Sequence, residues 1–161
     1  MRIARPHMPG YGTLPATEGS GLLPWSWADD KLRASHDFWL ATVRADGRPH
    51  VMPIWGVWDG HALWFSTSNG SRKSRNLLAE PRCTIATDDA LNPVVMDGRV
   101  ELLTDDESIK RAISLVNEKY ATNYDVSFQD PNVNRTFRFT PEVAFGLLET
   151  DFAGSPTRWT W

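Results

Sequence analysis

Two Asp-Gly pairs constrain the fold of this chain more than any other feature of its sequence. Asp46-Gly47 separates the apolar runs FWLATVR and PHVMPIWGVW, and Asp59-Gly60 separates the second run from HALWFSTS. Asp-Gly is a preferred tight turn between antiparallel strands, because its residues tolerate the left-handed backbone that such turns need. The three runs therefore predict an antiparallel meander of three strands.

The rest of the chain adds strands and a few helices. CTIAT and PVVMDGRVELL predict two more strands, and NRTFRFTPEVAFGLLE predicts one or two around Thr140-Pro141. Capping boxes at Ser26–Asp29 and Thr104–Glu107 predict two helices, the first from about Trp27 to His36 and the second the longest of the chain. Six or seven antiparallel strands favour a small β-barrel, because closure removes exposed sheet edges.

Length and composition indicate one domain of ordinary globular character. The chain has 161 residues, of which 41% are apolar and 23% charged, enough for a core without disulfide support. Its net charge of −3 provides no overall field that attracts nucleic acid or a membrane surface. The N-terminal residues contain no long apolar run, so we expect a cytoplasmic protein. Residues 1–24, rich in Pro and Gly, are interpreted as an arm on a domain formed by residues 25–161.

Sequence signatures of several enzyme classes are missing. The four histidines and Cys83 show no metal-ligand spacing, so no metal site is predicted. GYGTL follows no strand, and neither a Walker A sequence nor a GxSxG elbow occurs. Cys83 begins an apolar strand and is expected to be a small buried residue rather than a nucleophile. Hydrolase and NTPase functions therefore have no support.

Eight tryptophans are unusual for a chain of this length. Tryptophan covers a large area with few rotatable bonds, and it is used in cores, interfaces and ligand platforms. A tryptophan-rich core or dimer interface is the first interpretation, and a platform for a flat ligand is the alternative.

Three cations stand at the predicted start of a helix. Ser71 can cap this helix and Pro81 ends it, which places Arg72, Lys73 and Arg75 at the helix beginning. That end of a helix carries partial positive charge, so cations are unfavourable there unless an anion is bound. One interpretation is a helix whose cations face water, and the other is an anion site.

The residues before this helix favour the anion site. Ser66, Thr67 and Ser68 close the preceding strand with three hydroxyls, which can donate to phosphate oxygens. Asn69-Gly70 allows a tight turn that exposes backbone N–H groups. Together with the cations, these residues predict a phosphate cradle.

The strand HVMPIWGVW predicts where the rest of such a ligand lies. Pro53 cannot donate a hydrogen bond to a neighbouring strand, which indicates a barrel edge or a bulge that interrupts the sheet. Free backbone groups at this place can bind a flat heteroaromatic ring, and Trp55 can supply an apolar wall.

The stretch FWLATVRADGRPHVMPIWGVWDGHALWFSTSNGSRKSRNLLAEPRCTIAT resembles the flavin- and deazaflavin-dependent split β-barrel superfamily, the pyridoxamine 5′-phosphate oxidase-like proteins. Within it, the chain is most similar to the deazaflavin (coenzyme F420)-dependent reductases. The resemblance extends from about Leu23 to the C-terminal PTRWTW. It implies a mainly β (α+β) fold, a six- to seven-stranded antiparallel split β-barrel with a few flanking helices. It also implies a homodimer with two cofactor sites at the subunit interface.

The resemblance assigns candidate cofactor-binding residues. The residues implied to bind the cofactor phosphate are Ser66, Thr67, Arg72 and Lys73, with Arg75 and Asn76 beside them. Ser68 is added because it belongs to the predicted phosphate cradle. Those implied along the ring, mostly through backbone groups, are Met52, Pro53, Ile54 and Trp55. The C-terminal tail, often that of the partner chain, is implied to approach the ring through Arg158, Trp159 and Trp161.

The implied activity is hydride transfer from the reduced cofactor to a planar, conjugated small molecule. F420 is preferred as the cofactor, and FMN is the alternative, because the two share the ring outline, the ribityl chain and the phosphate. A second alternative is a non-catalytic deazaflavin- or haem-binding protein. No catalytic residue is selected by the sequence, and no second phosphate site suggests oxidation of pyridoxamine phosphate.

Overall fold

Nine antiparallel strands and three α-helices make up the computed structural model, which describes residues 1–161. In chain order they are β1 (Arg2–Ala4), α1 (Trp25–Ala34), β2 (Asp37–Val43), β3 (Pro49–Trp55), β4 (Val57–Trp58), β5 (Leu63–Ser68), α2 (Arg72–Ala79), β6 (Arg82–Thr87), β7 (Val94–Leu103), α3 (Asp106–Tyr120), β8 (Asn134–Gly146) and β9 (Thr157–Thr160). Two short 3-10 helices span Val126–Gln129 and Glu149–Asp151. No helix is long and apolar enough to cross a membrane.

The sheet divides along β8. Its strand order is β1-β9-β8-β7-β6-β2-β3, and β5 pairs with β8 and with β4 outside this path. One edge of β8 is shared, because its first half pairs with β5 and its last residues pair with β9. Strand β3 pairs only with β2, so no ladder joins β3 to β5. The predicted split β-barrel is confirmed, with nine strands instead of six or seven.

Both predicted Asp-Gly turns are present, but the predicted meander is wrong. Gly47 and Gly60 have φ of 82° and 100°, the left-handed backbone that the turns require. The run PHVMPIWGVW is not one strand, because the chain leaves β2 at Gly56 and continues as β4 beside β5. A Cβ at Gly56 would lie 2.9 Å from Leu63 Cδ2 and 3.1 Å from Phe38 Cδ2, so a larger residue at this bend would displace these buried side chains.

Pro53 lies within the continuous edge strand β3, opposite Trp39 of β2. The sheet edge expected from this proline is therefore present, whereas an interruption of the strand is not. NRTFRFTPEVAFG forms the single strand β8. Its Pro141 is tolerated because it stands opposite Gly98 at a register shift of β7.

Two of the three helix starts differ from their sequence signatures by one or two residues. Helix α1 begins at Trp25 after Pro24 and has no side-chain cap, so the capping box predicted at Ser26 is wrong. Helix α3 is capped by Asp105, whose Oδ1 accepts from Ser108 N at 2.8 Å, in place of the expected Thr104. Helix α2 is capped by Ser71 as predicted, with Ser74 N donating to Ser71 Oγ at 3.1 Å.

Residues 1–24 run along the domain. Strand β1 pairs with β9, and the Arg5 guanidinium donates to the carbonyl oxygens of Pro156 and Pro15 at 2.6 and 3.0 Å. Farther on, Leu23 N donates to Thr157 Oγ1 at 2.8 Å. The first and last strands of the chain thus form one edge of the sheet.

The core accounts for most of the tryptophans. Trp159 is fully buried in a cluster of 19 residues, and Trp25 meets it edge-on at a ring distance of 5.6 Å. Trp58 and Trp64 are also buried. Burial of Cys83 is confirmed as well, and loss of hydration raises the pKa of its thiol to about 12.

Candidate phosphate and ring site

A cavity of about 300 Å³ lies in the gap between β3 and β5. Pro53, Ile54 and Trp55 from the unpaired edge of β3 form one wall, and Ser66, Thr67 and Ser68 from β5 form another. Lys73 of α2 contributes the one charged side chain. The remaining lining residues are Val116, Phe128, Gln129 and Asn134. The split of the barrel therefore brings together the two segments that the sequence assigned to ring and phosphate.

Hydroxyl groups and a helix start form the polar end of the cavity. Thr67 Oγ1 lies 3.0 Å from Ser71 Oγ, which links the end of β5 to the cap of α2. Ser66 Oγ lies 3.1 Å from Thr136 Oγ1 on β8. This end joins hydroxyls to the positive end of a helix, an arrangement suited to a phosphate.

The cations of α2 have no carboxylate partners. Arg72, Lys73 and Arg75 take part in none of the eight ion pairs of the chain. No acidic residue occupies the first turn of α2. Partial burial lowers the pKa of His50 on β3, and the positive charges of Arg44, Lys73 and Arg72 lower it further. The polar end of the cavity therefore carries uncompensated positive charge.

Arg135 fixes the turn between β5 and α2. Its Nη1 donates to Asn69 O and to Ser74 Oγ, both at 2.9 Å. Asn69 N donates to Val133 O at 2.9 Å on the other side of this turn. The turn is thus held by β8 and by the segment that precedes it.

Two stacked aromatic pairs flank the apolar end. Trp55 stacks on Tyr120 with ring centroids 4.3 Å apart, and Phe128 stacks on Tyr124 with centroids 3.7 Å apart. Neither tyrosine lines the cavity. Burial raises the pKa of Tyr120 to about 12, so its hydroxyl keeps its proton at neutral pH. Trp55 and Phe128 are accordingly the aromatic side chains that line the cavity.

The thirteen residues predicted to bind a cofactor fall into two groups. Those that line the cavity are Pro53, Ile54, Trp55, Ser66, Thr67, Ser68 and Lys73. The structure does not bring the others into it: Met52, Arg72, Arg75, Asn76, Arg158 and Trp159.

The reasons for the second group differ. Met52, Arg72 and Arg75 are exposed near the cavity on β3 and α2. Asn76 is buried because its Nδ2 donates to Thr42 Oγ1 at 2.9 Å, so this amide is committed to the fold. Trp159 is a core residue, and on β9 its neighbour Arg158 points outward because strand residues alternate.

Four lining residues were not predicted from the sequence. Phe128 and Gln129 come from the segment between α3 and β8, which has no distinctive pattern, and Asn134 is the first residue of β8. Val116 belongs to the apolar stripe of α3 and was interpreted only as a packing residue. Pairing of β5 with β8 brings this segment to the cavity, and no local signal reports that pairing.

A second, larger groove does not offer the same chemistry. It has a volume of about 480 Å³ and lies on the outer face of β2, β6 and β7. Its one cation, Arg82, pairs with Glu80 at 2.6 Å, and Asp97 and Glu142 add negative charge. No cluster of three or more His, Cys, Asp or Glu side chains in the chain can hold a metal ion.

Comparisons with known proteins identify the family and agree with the fold. A family model described as pyridoxamine 5′-phosphate oxidase matches residues 28–146. A solved structure described as an F420 reductase is 26% identical, with a TM-score of 0.59, over 72% of this chain and 94% of that one. A conserved hypothetical protein, Rv2991 from Mycobacterium tuberculosis, is 25% identical, with a TM-score of 0.66, over 76% of this chain and 82% of that one. HutZ, a haem storage protein from Vibrio cholerae, is 21% identical with a TM-score of 0.59 over 73% and 89% and shares the fold. Comparison with curated protein sequences gives no match.

Proposed function

Because the chain belongs to the pyridoxamine 5′-phosphate oxidase family, we propose that its cavity binds a phosphorylated flavin-type cofactor, preferably F420. The protein is then an oxidoreductase that acts on a planar, conjugated small molecule. One observation carries the proposal: unpaired Lys73 and the hydroxyls of β5 face the apolar edge of β3 across the split of the barrel.

Different residues of the cavity bind the phosphate and the ring of the cofactor. Lys73 and the hydroxyls of Ser66, Thr67 and Ser68 hold the phosphate. Pro53, Ile54 and Trp55 lie along the ring, and their side chains with Phe128 exclude water from it. The bound cofactor supplies hydride transfer, and the protein orients the ring and shields it.

F420 is preferred to FMN for two reasons. The F420 reductase structure is 26% identical to this chain. In addition, the chain carries cations beyond the cavity, because Arg72 and Arg75 on α2 are exposed and unpaired and Arg44 stands near His50. The anionic tail of F420 can use these charges, whereas FMN has no such tail.

The first alternative is an FMN-dependent oxidoreductase of the same fold. The second is a protein that binds a deazaflavin or haem without turnover. Haem ligation has less support. No His, Cys or Met side chain lines the cavity, and these are the usual axial ligands of haem iron.

The proposal includes a homodimer. Residues of β2 and β3 that share the outer face of the sheet are apolar and strongly exposed, with Trp39 at 46%, Val51 at 51% and Trp55 at 47%. An exposed apolar patch of this kind marks an interface. Because Trp55 also lines the cavity, a second copy on this face lies beside the cofactor. Arg158 stays in the proposal as a contact from the second copy, while Trp159 does not.

The proposal places the protein in the cytoplasm, where its buried and unpaired Cys83 stays reduced.

Titration of the purified protein with F420 and with FMN, followed by tryptophan fluorescence, tests the proposal. Trp55 is the one tryptophan that lines the cavity, so the variant Trp55→Phe should lose most of the quenching. Tighter binding of F420 supports the preferred cofactor, and tighter binding of FMN supports the alternative. Oxidation of the reduced cofactor by added acceptors then separates an enzyme from a binding protein. If neither F420 nor FMN binds, the proposal is contradicted.

A further inference from the structure

Gln129 is a buried residue whose side-chain amide is only half satisfied. The residue is 2% exposed at the end of the short 3-10 helix Val126–Gln129. Its Oε1 accepts from Thr136 Oγ1 at 2.9 Å, but its Nε2 has no hydrogen-bond partner in the protein. A buried N–H without a partner is costly, and such groups are rare in native proteins. A ligand that supplies the missing acceptor accounts for it.

The hydroxyls next to Gln129 define which groups are free to donate. Thr136 has one hydroxyl hydrogen, and it is directed to Gln129 Oε1. The contact of 3.1 Å between Ser66 Oγ and Thr136 Oγ1 therefore uses the hydrogen of Ser66. Within the protein both hydroxyl hydrogens already have acceptors, and Ser66 must turn away from Thr136 to donate to a phosphate. The amide of Gln129, in contrast, has an N–H donor that no protein group accepts.

From this network we infer that Gln129 binds the ligand directly, by donating from Nε2 to an oxygen of the phosphorylated flavin-type cofactor. The inference rests on the proposed function, and it adds a residue from the α3–β8 segment to the site. Thr136 orients the amide by holding Oε1, so the nitrogen is the atom left for the ligand. Because Nε2 is itself shielded from solvent, the Val126–Gln129 helix must adjust as the ligand enters.

The variant Gln129→Met tests the inference. Methionine has a similar length, and it removes the unsatisfied N–H together with the acceptor of Thr136, whose hydroxyl can then turn to Ser66. We expect affinity for F420 or FMN to fall about five- to tenfold, as for loss of one neutral hydrogen bond. The melting temperature without ligand should be unchanged or higher.

The variant Gln129→Glu separates binding from structure. Its carboxylate still accepts from Thr136 but lacks an N–H donor and repels a phosphate, so affinity should fall more than in Gln129→Met. Gln129→Met could lose both stability and affinity. If Gln129→Glu then binds the cofactor as tightly as wild type, Gln129 has only a structural role and the inference is overturned. If Gln129→Glu is as stable as wild type but binds the cofactor weakly, the inference is supported.

The wild-type titration distinguishes this inference from the proposed function. Binding to wild type with unchanged affinity in both variants overturns the role of Gln129 and leaves the proposed function intact. Absence of F420 and FMN binding to wild type overturns both.

Discussion

Trp55 and Tyr120 stack face to face, with an angle of 6° between their rings. The Tyr120 hydroxyl also accepts from Gly56 N at 2.9 Å and donates to His36 O at 2.7 Å. Gly56 is the bend where the chain passes from β3 to β4. The last turn of α3 therefore holds both the aromatic wall of the cavity and the backbone that positions it.

Tyr120→Phe should lower the free energy of unfolding by about 1–3 kcal/mol, because it keeps the stacked ring but leaves Gly56 N–H without its partner. Urea denaturation measures the change. Tyr124→Phe is the matched control, since the Tyr124 ring also stacks but its hydroxyl makes no hydrogen bond within the chain. Equal stability of the two variants would contradict the role given to the hydroxyl.

Lys73→Ala should weaken binding of F420 or FMN by about 1.5–3 kcal/mol, the range for hydrogen bonds to charged groups. Arg75→Ala removes the same charge from the same helix, but Arg75 does not line the cavity, so its effect should be several times smaller. Without ligand, both variants should be as stable as wild type or slightly more stable, because a cation leaves the start of a helix. Fluorescence titration and thermal melting give the two quantities. Equal losses of affinity would indicate general attraction of an anion instead of contact with Lys73.

Val51→Asp should convert the proposed dimer to a monomer, because it places a charge in the apolar outer face of β2 and β3. Sedimentation velocity measures the mass in solution. Leu78→Asp is a suitable control, since Leu78 on α2 is 48% exposed and lies outside this face. A wild-type protein that sediments as a monomer would reject the dimer.

Lys119 should make stability rise with pH above about 8. Its Nζ donates to Ser35 O and Gly56 O, both at 2.6 Å, and burial lowers its pKa to about 8 from an ordinary value of 10.5. Nearby Asp37 and Asp88 oppose the shift. Below pH 8 the folded and unfolded chains both hold the proton. Between pH 8 and 10.5 only the unfolded chain holds it, so the folded state gains stability as pH rises.

The measurement must separate Lys119 from Cys83. The pKa of Cys83 is raised to about 12 from 9.0, so the unfolded thiol ionises first and stability falls above pH 9. Urea denaturation from pH 7 to 9.5 in a Cys83→Ala background removes this contribution. Lys119→Met in the same background should show a smaller rise, and an identical rise would reject the assignment to Lys119.

The polar end of the cavity could be predicted because its residues are nearly consecutive. Ser66 to Lys73 form a strand end, a turn and a helix start, and each has a local signature. Gln129 and Phe128 have no such signature, and they reach the cavity only through the pairing of β5 with β8. Trp159 was predicted to bind the cofactor but is buried in the core. The alternating residues of the tail do not reveal which face of the strand is buried.

Strand β8 also determines when the site is completed during synthesis. Strand β5, with the hydroxyls of Ser66 and Thr67, pairs only with the two residues of β4 until Asn134–Phe139 have left the ribosome. A nascent chain that ends before β8 thus exposes the apolar side chains Leu63 and Phe65, which are buried in the finished protein, and has no closed cavity. A cofactor that binds this cavity would therefore be captured only after Asn134–Phe139 have emerged.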